Sequence, residues 1–338
     1  MTTMTITDVG SGVPVDAVPV KVKKLRRRGR VTMWIAIAWL AFIAVSAIGA
    51  NWLPYIKHSC DQYANPTQCS THVKGSLLKI EKPPAWAWFS EPEKNIGNGP
   101  ERVGIFGTDR NGYDLFSRSM FGARNSLLIG ALSITFGLLL GTVLGMIAGY
   151  YRGWADRIIE VVTNILLAFP ALLLAIFIVT FSDNPNSTSS AGDTRSIGPI
   201  IMALSILAVP PLTRLVRANT IMYAQREFVV AARSIGAPNR RILFREILPN
   251  IVPTLLSFAL TGLALLLVAE GALAALGLSV EAPLPTWGRM ISAGQERLRN
   301  GIWWPSLLPA LVMFLTILAI NLLGDVLAER FNTREVIA

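Results

Sequence analysis

The stretch Ser126–Tyr151, SLLIGALSITFGLLLGTVLGMIAGYY, decides how the rest of the chain is read. It carries no charge, and at 1.5 Å per helical residue it extends ~39 Å, enough to cross the ~30 Å hydrocarbon layer of a bilayer. Within it Gly137, Gly141, Gly145 and Gly149 recur every fourth residue, and Ser133 continues the row. Residues four apart share a helix face, so the row predicts a strip with almost no side-chain volume, where a second helix packs closely.

Five further charge-free apolar runs lie outward from it: Val31–Leu53, Val161–Phe181, Ile197–Thr213, Ile251–Ala269 and Trp303–Gly324. Each is near or above the ~17–25 residues of a membrane-crossing helix. The expected fold is therefore all-α, a polytopic membrane protein with six transmembrane helices. Six spans also explain why only 15% of the 338 residues are charged while 52% are hydrophobic, against ~25% charged in an average soluble domain. The first run, 23 residues long, exceeds the ~7–15 of a signal-peptide core and reads as an uncleaved anchor.

A net charge of +10 raises nucleic acid as a partner, which needs a continuous basic face. Here the cations lie between apolar runs, so no nucleic acid is expected. Lys21, Lys23, Lys24 and Arg26, Arg27, Arg28 and Arg30 precede the first span. The positive-inside bias then puts the N-terminus in the cytoplasm, and six crossings return the C-terminus there, in the cytoplasmic (inner) membrane. The loop after the fourth run agrees, with Arg214, Arg217, Arg226, Arg233, Arg240, Arg241 and Arg245 against two acids, Glu227 and Glu246.

The expected organisation is a basic cytoplasmic tail (1–30), a first helix (31–53), an extracytoplasmic loop or subdomain with an interfacial segment (54–125), a five-helix core (126–327) containing a cytoplasmic loop (214–250), and a C-terminal tail (328–338). In the long outer loop, Trp86, Trp88 and Phe89 suit either a membrane interface or the edge of a packed subdomain. Cys60 and Cys69 allow a small disulfide ring or two separate thiols, since spacing alone does not fix their geometry. Neither they nor His58 and His72 follow zinc-ligand spacing, so no metal site is expected. Pro170 and the Pro210-Pro211 pair predict kinks. Glu270, the one acid in the stretch from Ile251 to Val280, falls ~28 Å along its helix, at the outer rim.

No phosphate-cradling, nucleophile-elbow or zinc-protease motif occurs. No catalytic residue is therefore expected, and work against a gradient needs an energy source from a partner or an ion. The most informative segment is Arg226–Ala237. Val229, Ala232 and Ile235 at i, i+3 and i+6 make a short helix with a small apolar face, which Gly236 ends. Pro238 starts a second helix, and Pro249 stands where the fifth span begins. The product is a small knob between two spans, able to seat in another protein's cleft.

Ala231-Ala232-x-x-x-Gly236 with Leu248-Pro249 downstream resembles the EAA loop of bacterial ABC importer permeases, whose short helix docks on the ATP-binding subunit. Gly107-Thr108-Asp109, Gly112, Asp114, Ser117-Arg118, Gly122-Ala123-Arg124 and Ser126-Leu127 resemble the block before the second span in the dipeptide/oligopeptide permease C-subunit family. Ala148-Gly149-Tyr150-Tyr151-x-Gly153-Trp154-x-Asp156, Phe169-Pro170, Leu276-Gly277-Leu278, Trp287-Gly288 and Asn321–Asp325 continue it. Val230 stands where the family's leading Glu would be, and Val161 and Asn164 where relatives place Arg and Asp.

The resemblance implies the ABC type I importer permease fold and a non-catalytic subunit that takes short peptides across the membrane. It implies that Val230, Ala231, Ala232, Arg233, Ser234, Ile235, Gly236, Ala237, Leu248 and Pro249 couple to the ATPase. The partners would be a homologous second permease, two ATP-binding subunits that hold ATP and Mg, an extracytoplasmic peptide-binding protein and membrane lipid. This chain itself would bind no cofactor. A nickel chelate or haem is the alternative cargo. The Gly107–Arg124 block reads first as a turn and interfacial helix in which Asp109, Asp114 and Arg118 satisfy one another. An ion-coupled secondary transporter is the rival class, and it needs ionisable groups within the spans, whereas the first four apolar runs contain no acid.

Overall fold

The computed structural model describes residues 28–50, 81, 83–84, 86, 105–110, 113–182, 197–280 and 284–335. Cys60, Cys69, Gly112, Trp88, Phe89, most of the outer loop and nearly all of the N-terminal tail lie outside the described residues. The described residues form helices α1 (Arg28–Ile48), α2 (Leu115–Tyr151), α3 (Gly153–Ala168), α4 (Ala171–Ser182), α5 (Ile197–Tyr223) and α6 (Glu227–Ser234). They continue through α7 (Asn239–Arg241), a π-helical turn (Ile242–Ile247), α8 (Leu248–Ala275), α9 (Trp287–Leu298) and α10 (Trp304–Glu335). Among them there is no strand, only an isolated bridge between Thr108 and Asp114.

Four helices are long and apolar enough to cross a membrane, and α3 with α4 makes a fifth if the bent pair is one span. The apolar part of α1, Thr32–Ile48, is shorter. The described structure thus supports four to five full spans plus this shorter helix, where the sequence predicts six.

Glycine sets the direction of the bundle. A Cβ on Gly137 would lie 2.6 Å from Cβ of Ala208, on Gly141 2.7 Å from Cβ of Leu212, on Gly145 2.6 Å from Cβ of Val216, and on Gly149 2.8 Å from Cβ of Thr220. Residue numbers rise together along both helices, so α2 and α5 run parallel with their backbones in close approach. Ser133 continues the seam, its Oγ donating to the Ile201 carbonyl at 3.3 Å. Parallel α2 and α5 require the chain to return across the bundle between them, which is the path of α3 and α4. A Cβ on Gly130 would meet Leu263 and Leu267, and one on Gly262 would meet Ile134, so α8 runs antiparallel to α2.

Several boundaries differ from the charge-free runs. α2 starts at Leu115, not Ser126, because Asp114 caps it: the carboxylate accepts the Ser117 N–H at 3.0 Å and the Ser117 hydroxyl at 2.6 Å. Arg118 and Arg124 therefore lie on the first turns of a long helix rather than in a loop. The third run is two helices meeting at 94°. Phe169 takes an extended conformation (φ −80°, ψ 137°) because it precedes Pro170, whose ring excludes the helical region there. α3 also starts at Gly153, eight residues before the run, so this span does carry acids, Asp156 and Glu160. Pro210 and Pro211, by contrast, lie inside a continuous α5.

Beneath α2, α5 and α8 lies the main core, with Ile129, Leu204, Leu212, Val216, Ile247 and Ile251 fully buried. A second core joins α1, α2, α8, α9 and α10 through Ile43, Phe121, Leu267, Trp287 and Val312.

Candidate functional site

α6 forms the knob at the end of the bundle where α2 and α5 finish. Its first residue follows Arg226, which is extended (φ −73°, ψ 150°). The helix stops in a Schellman turn: the Gly236 N–H donates to the Arg233 carbonyl at 3.0 Å and the Ala237 N–H to the Ala232 carbonyl at 3.1 Å. That turn needs φ +80° at position 236, which glycine adopts without strain. Pro238 then leads into α7. The Leu248 N–H bonds the Leu243 carbonyl in the π-helical turn, a wider loop that ends just before Pro249, which has no N–H to donate.

Val229 is fully buried and Ala232 half-buried, whereas Ile235 is 84% exposed. The expected apolar face of Val229, Ala232 and Ile235 is therefore corrected at its last member: the chain has left helical geometry at Ile235, which does not continue the face of Val229 and Ala232. Val230 is 52% exposed, and Phe228 is 40% exposed. Ala231, Arg233, Ser234 and Gly236 are exposed and Ala237 half-buried. The knob thus exposes apolar side chains on its flanks and at its C-terminal end, with Arg226 and Arg233 also exposed. Of the residues downstream, Leu248 packs partly against the main core while Pro249 is exposed.

Tyr150, at the end of the glycine seam, ties the knob down. Its hydroxyl donates to Asn239 Oδ1 at 2.8 Å, and the Arg233 guanidinium sits 5.7 Å from its ring centroid. A polar ladder on the other side of α5 is absent from the sequence reading. Arg217 grips Asp156 through two guanidinium nitrogens, Nη2 to Oδ2 at 2.8 Å, and lies 3.8 Å from Glu160. Arg214 donates to Asn164 Oδ1 at 2.6 Å. Asp156, Glu160 and Asn164 at i, i+4 and i+8, facing arginines at i and i+3, are visible in the sequence once α3 is extended back to Gly153.

The opposite end holds the Gly107–Arg118 block. Asp109 accepts the Tyr113 N–H at 2.9 Å and pairs with Arg118 at 3.5 Å. Gly107 has φ +75°, and Trp304 Nε1 donates to the Thr108 carbonyl at 3.2 Å. Arg124 is exposed. Glu270 makes a polar contact at this end of α8, its Oε1 accepting from Ser279 at 2.9 Å, and it is 1% exposed, lying beneath α9. α9 is held down by Trp287, whose N–H donates to Ser126 Oγ and whose Nε1 donates to the Ser119 carbonyl, both at 3.0 Å. The block before α2 and the knob thus occupy opposite ends of α2. Among the described residues no cluster of His, Cys, Asp or Glu could hold a metal.

Residues 141–336 match the family described as binding-protein-dependent transport system inner membrane component. The chain is 36% identical over 241 residues, 71% of its length and 75% of the relative's, to the glutathione transport system permease protein GsiD of Pectobacterium atrosepticum. It is 37% identical over 248 residues, 72% of its length and 78% of the relative's, to the dipeptide transport system permease protein DppC of Alkalihalophilus pseudofirmus. The fold is similar to a solved chain of the inward-facing MetNI methionine ABC transporter, with TM-score 0.51 and 19% identity over 64% of this chain and 96% of that one. The parallel glycine seam, the knob between two spans and these matches agree: the chain belongs to the binding-protein-dependent transport system inner membrane component family, the membrane permease subunits of ABC importers.

Proposed function

We propose that this chain is the permease subunit of an ATP-driven importer for short peptides. The observation that carries the reading is the knob at α6, a helix anchored by buried Val229, with Phe228 and Val230 exposed on its flanks and Ile235 exposed at its end. Such a knob suits a cleft on an ATP-binding subunit, and Val230 replaces an ionic contact there by an apolar one. Closure of two ATP-binding subunits would push the knob, and Tyr150 and the α2–α5 seam would pass that rigid-body shift into the bundle.

Six spans, with α1 as the first and both termini cytoplasmic, fit the basic segment before α1 and the seven-arginine loop. The 1–30, 31–53, 54–125, 126–327 and 328–338 divisions follow from that topology, with α2 entered from Leu115. A second, homologous permease would complete the pore and lipid would cover the rest of the apolar surface. A peptide-binding protein would dock at the Gly107–Arg118 end, and ATP and Mg would reside on the ATP-binding subunits alone, leaving this chain non-catalytic. Peptide cargo is supported by the names of the relatives, which transport glutathione and dipeptide.

The test is uptake of radiolabelled dipeptide into proteoliposomes holding the complete complex. Uptake that requires ATP and binding protein, and ignores an imposed proton or sodium gradient, is expected. Gradient-driven uptake without ATP overturns the class, and ATP-driven uptake of a nickel chelate but no peptide overturns the cargo.

A further inference from the structure

We infer that the Asp156–Asn164 face of α3, with Arg214 of α5, lines a water-filled part of the translocation path and offers Arg214 to a carboxylate on the passing solute. The inference rests on the importer reading and adds to it a pathway wall and the group that wall receives.

Arg217 is occupied by Asp156 through two nitrogens, so Glu160, at 3.8 Å, is only weakly compensated. Arg214 bonds a neutral amide oxygen on Asn164, and among the described residues no carboxylate forms an ion pair with it. The ladder climbs ~12 Å along α3 between Asp156 and Asn164. It sits beside the glycine seam, where the Arg217 carbonyl lies 2.8 Å from a Cβ built on Gly149.

The Glu160 side chain is 53% exposed, and Asn164 and Arg214 are exposed, so no other part of the described chain covers them. On α3 the remaining face is apolar: Ile158, Val161, Val162 and Ile165 are all more than half exposed and lie on the side opposite the ladder. Arg214, one residue past the charge-free run Ile197–Thr213, stands against Asn164, which lies inside the run Val161–Phe181, so its charge sits at the inner edge of the hydrocarbon, where water or protein must face it. α3 therefore turns Ile158–Ile165 away from water and the ladder towards it. At the end of the bundle that bears α6, that water connects to the cytoplasmic opening.

The test uses the complete complex with Cys60 and Cys69 replaced by Ser and single cysteines introduced. Glu160→Cys and Asn164→Cys are expected to react with membrane-impermeant methanethiosulfonates at least ~10-fold faster than Val162→Cys. At Glu160→Cys the anionic sulfonate reagent is expected to outpace the cationic ammonium reagent, and adding Arg214→Gln should abolish that preference. If one cysteine variant does not assemble, the other carries the comparison. Reaction at 160 and 164 no faster than at 162 overturns the water-filled face, as when a second permease covers it. Fast reaction without an Arg214-dependent preference overturns the carboxylate role. Neither outcome depends on ATP-driven peptide uptake, so failure of the importer reading would be recognised separately.

Discussion

α5 is held on two sides by opposite means. Along α2 it meets bare glycine backbone, with Ala208, Leu212, Val216 and Thr220 set against Gly137, Gly141, Gly145 and Gly149. Along α3 it meets long polar side chains, Arg217 on Asp156 and Arg214 on Asn164. The first contact has no room to adjust, since interiors packed at this density resist added volume. The second is partly exposed and built from flexible side chains, which can exchange partners. The difference teaches how one helix can be fixed on one side and adjustable on the other: α2 and α5 would move as one piece with the knob, and α3, bent from α4 at Pro170, would be the softly attached arm.

The seam is the place to break that contrast most severely. In Gly145→Leu the new Cβ meets Val216 Cβ at 2.6 Å and the Thr213 carbonyl at 2.7 Å, and backbone cannot yield as a side-chain tip can. A loss above the ~1–3 kcal/mol usual for overpacking is expected, with Gly141→Leu following the same direction. Size-exclusion chromatography should find no assembled complex, and a normally assembled, normally melting Gly145→Leu complex would count against the seam. Next comes Gly236→Val, which forces a left-handed φ of +80° on a β-branched residue but meets no atom within 4 Å. Strain of ~1–2 kcal/mol stays local to the knob's end. Assembly should survive while dipeptide uptake per ATP hydrolysed falls; an unchanged ratio would separate α6 from coupling.

Smaller effects sharpen the other side. Asp114→Ala removes the cap that starts α2 and should lower stability by ~1 kcal/mol in thermal unfolding. Asp156→Asn weakens the ladder's tightest pair, yet because that pair is partly exposed the loss should stay within ~1 kcal/mol and leave the complex assembled. A collapse of the complex on Asp156→Asn, as large as that of Gly145→Leu, would mean that α3 is no soft arm.

The seam was legible because glycine has one simple consequence at fourfold spacing, close approach, whatever the partner. The knob was legible for a related reason, since Gly236 and Pro238 bound a short helix by backbone rules. The apolar face of Val229, Ala232 and Ile235 loses its last member because helical geometry ends at the Ile235 cap, which periodicity alone does not mark. The ladder escaped because a search for charge-free runs discards the segment that carries Asp156 and Glu160, and because its partners, Arg214 and Arg217, had been read as an orientation signal. Glu270 was located along its helix but not beneath α9, since nothing local to Ile251–Val280 says that Trp287 and Thr286 fold back over it.

The most direct test places a photo-crosslinking amino acid at Val230 in the assembled complex. The account predicts an adduct between this chain and the ATP-binding subunit, strong in the resting state and altered in yield on trapping with ATP. Adducts formed only with lipid, or only within this chain, would contradict it.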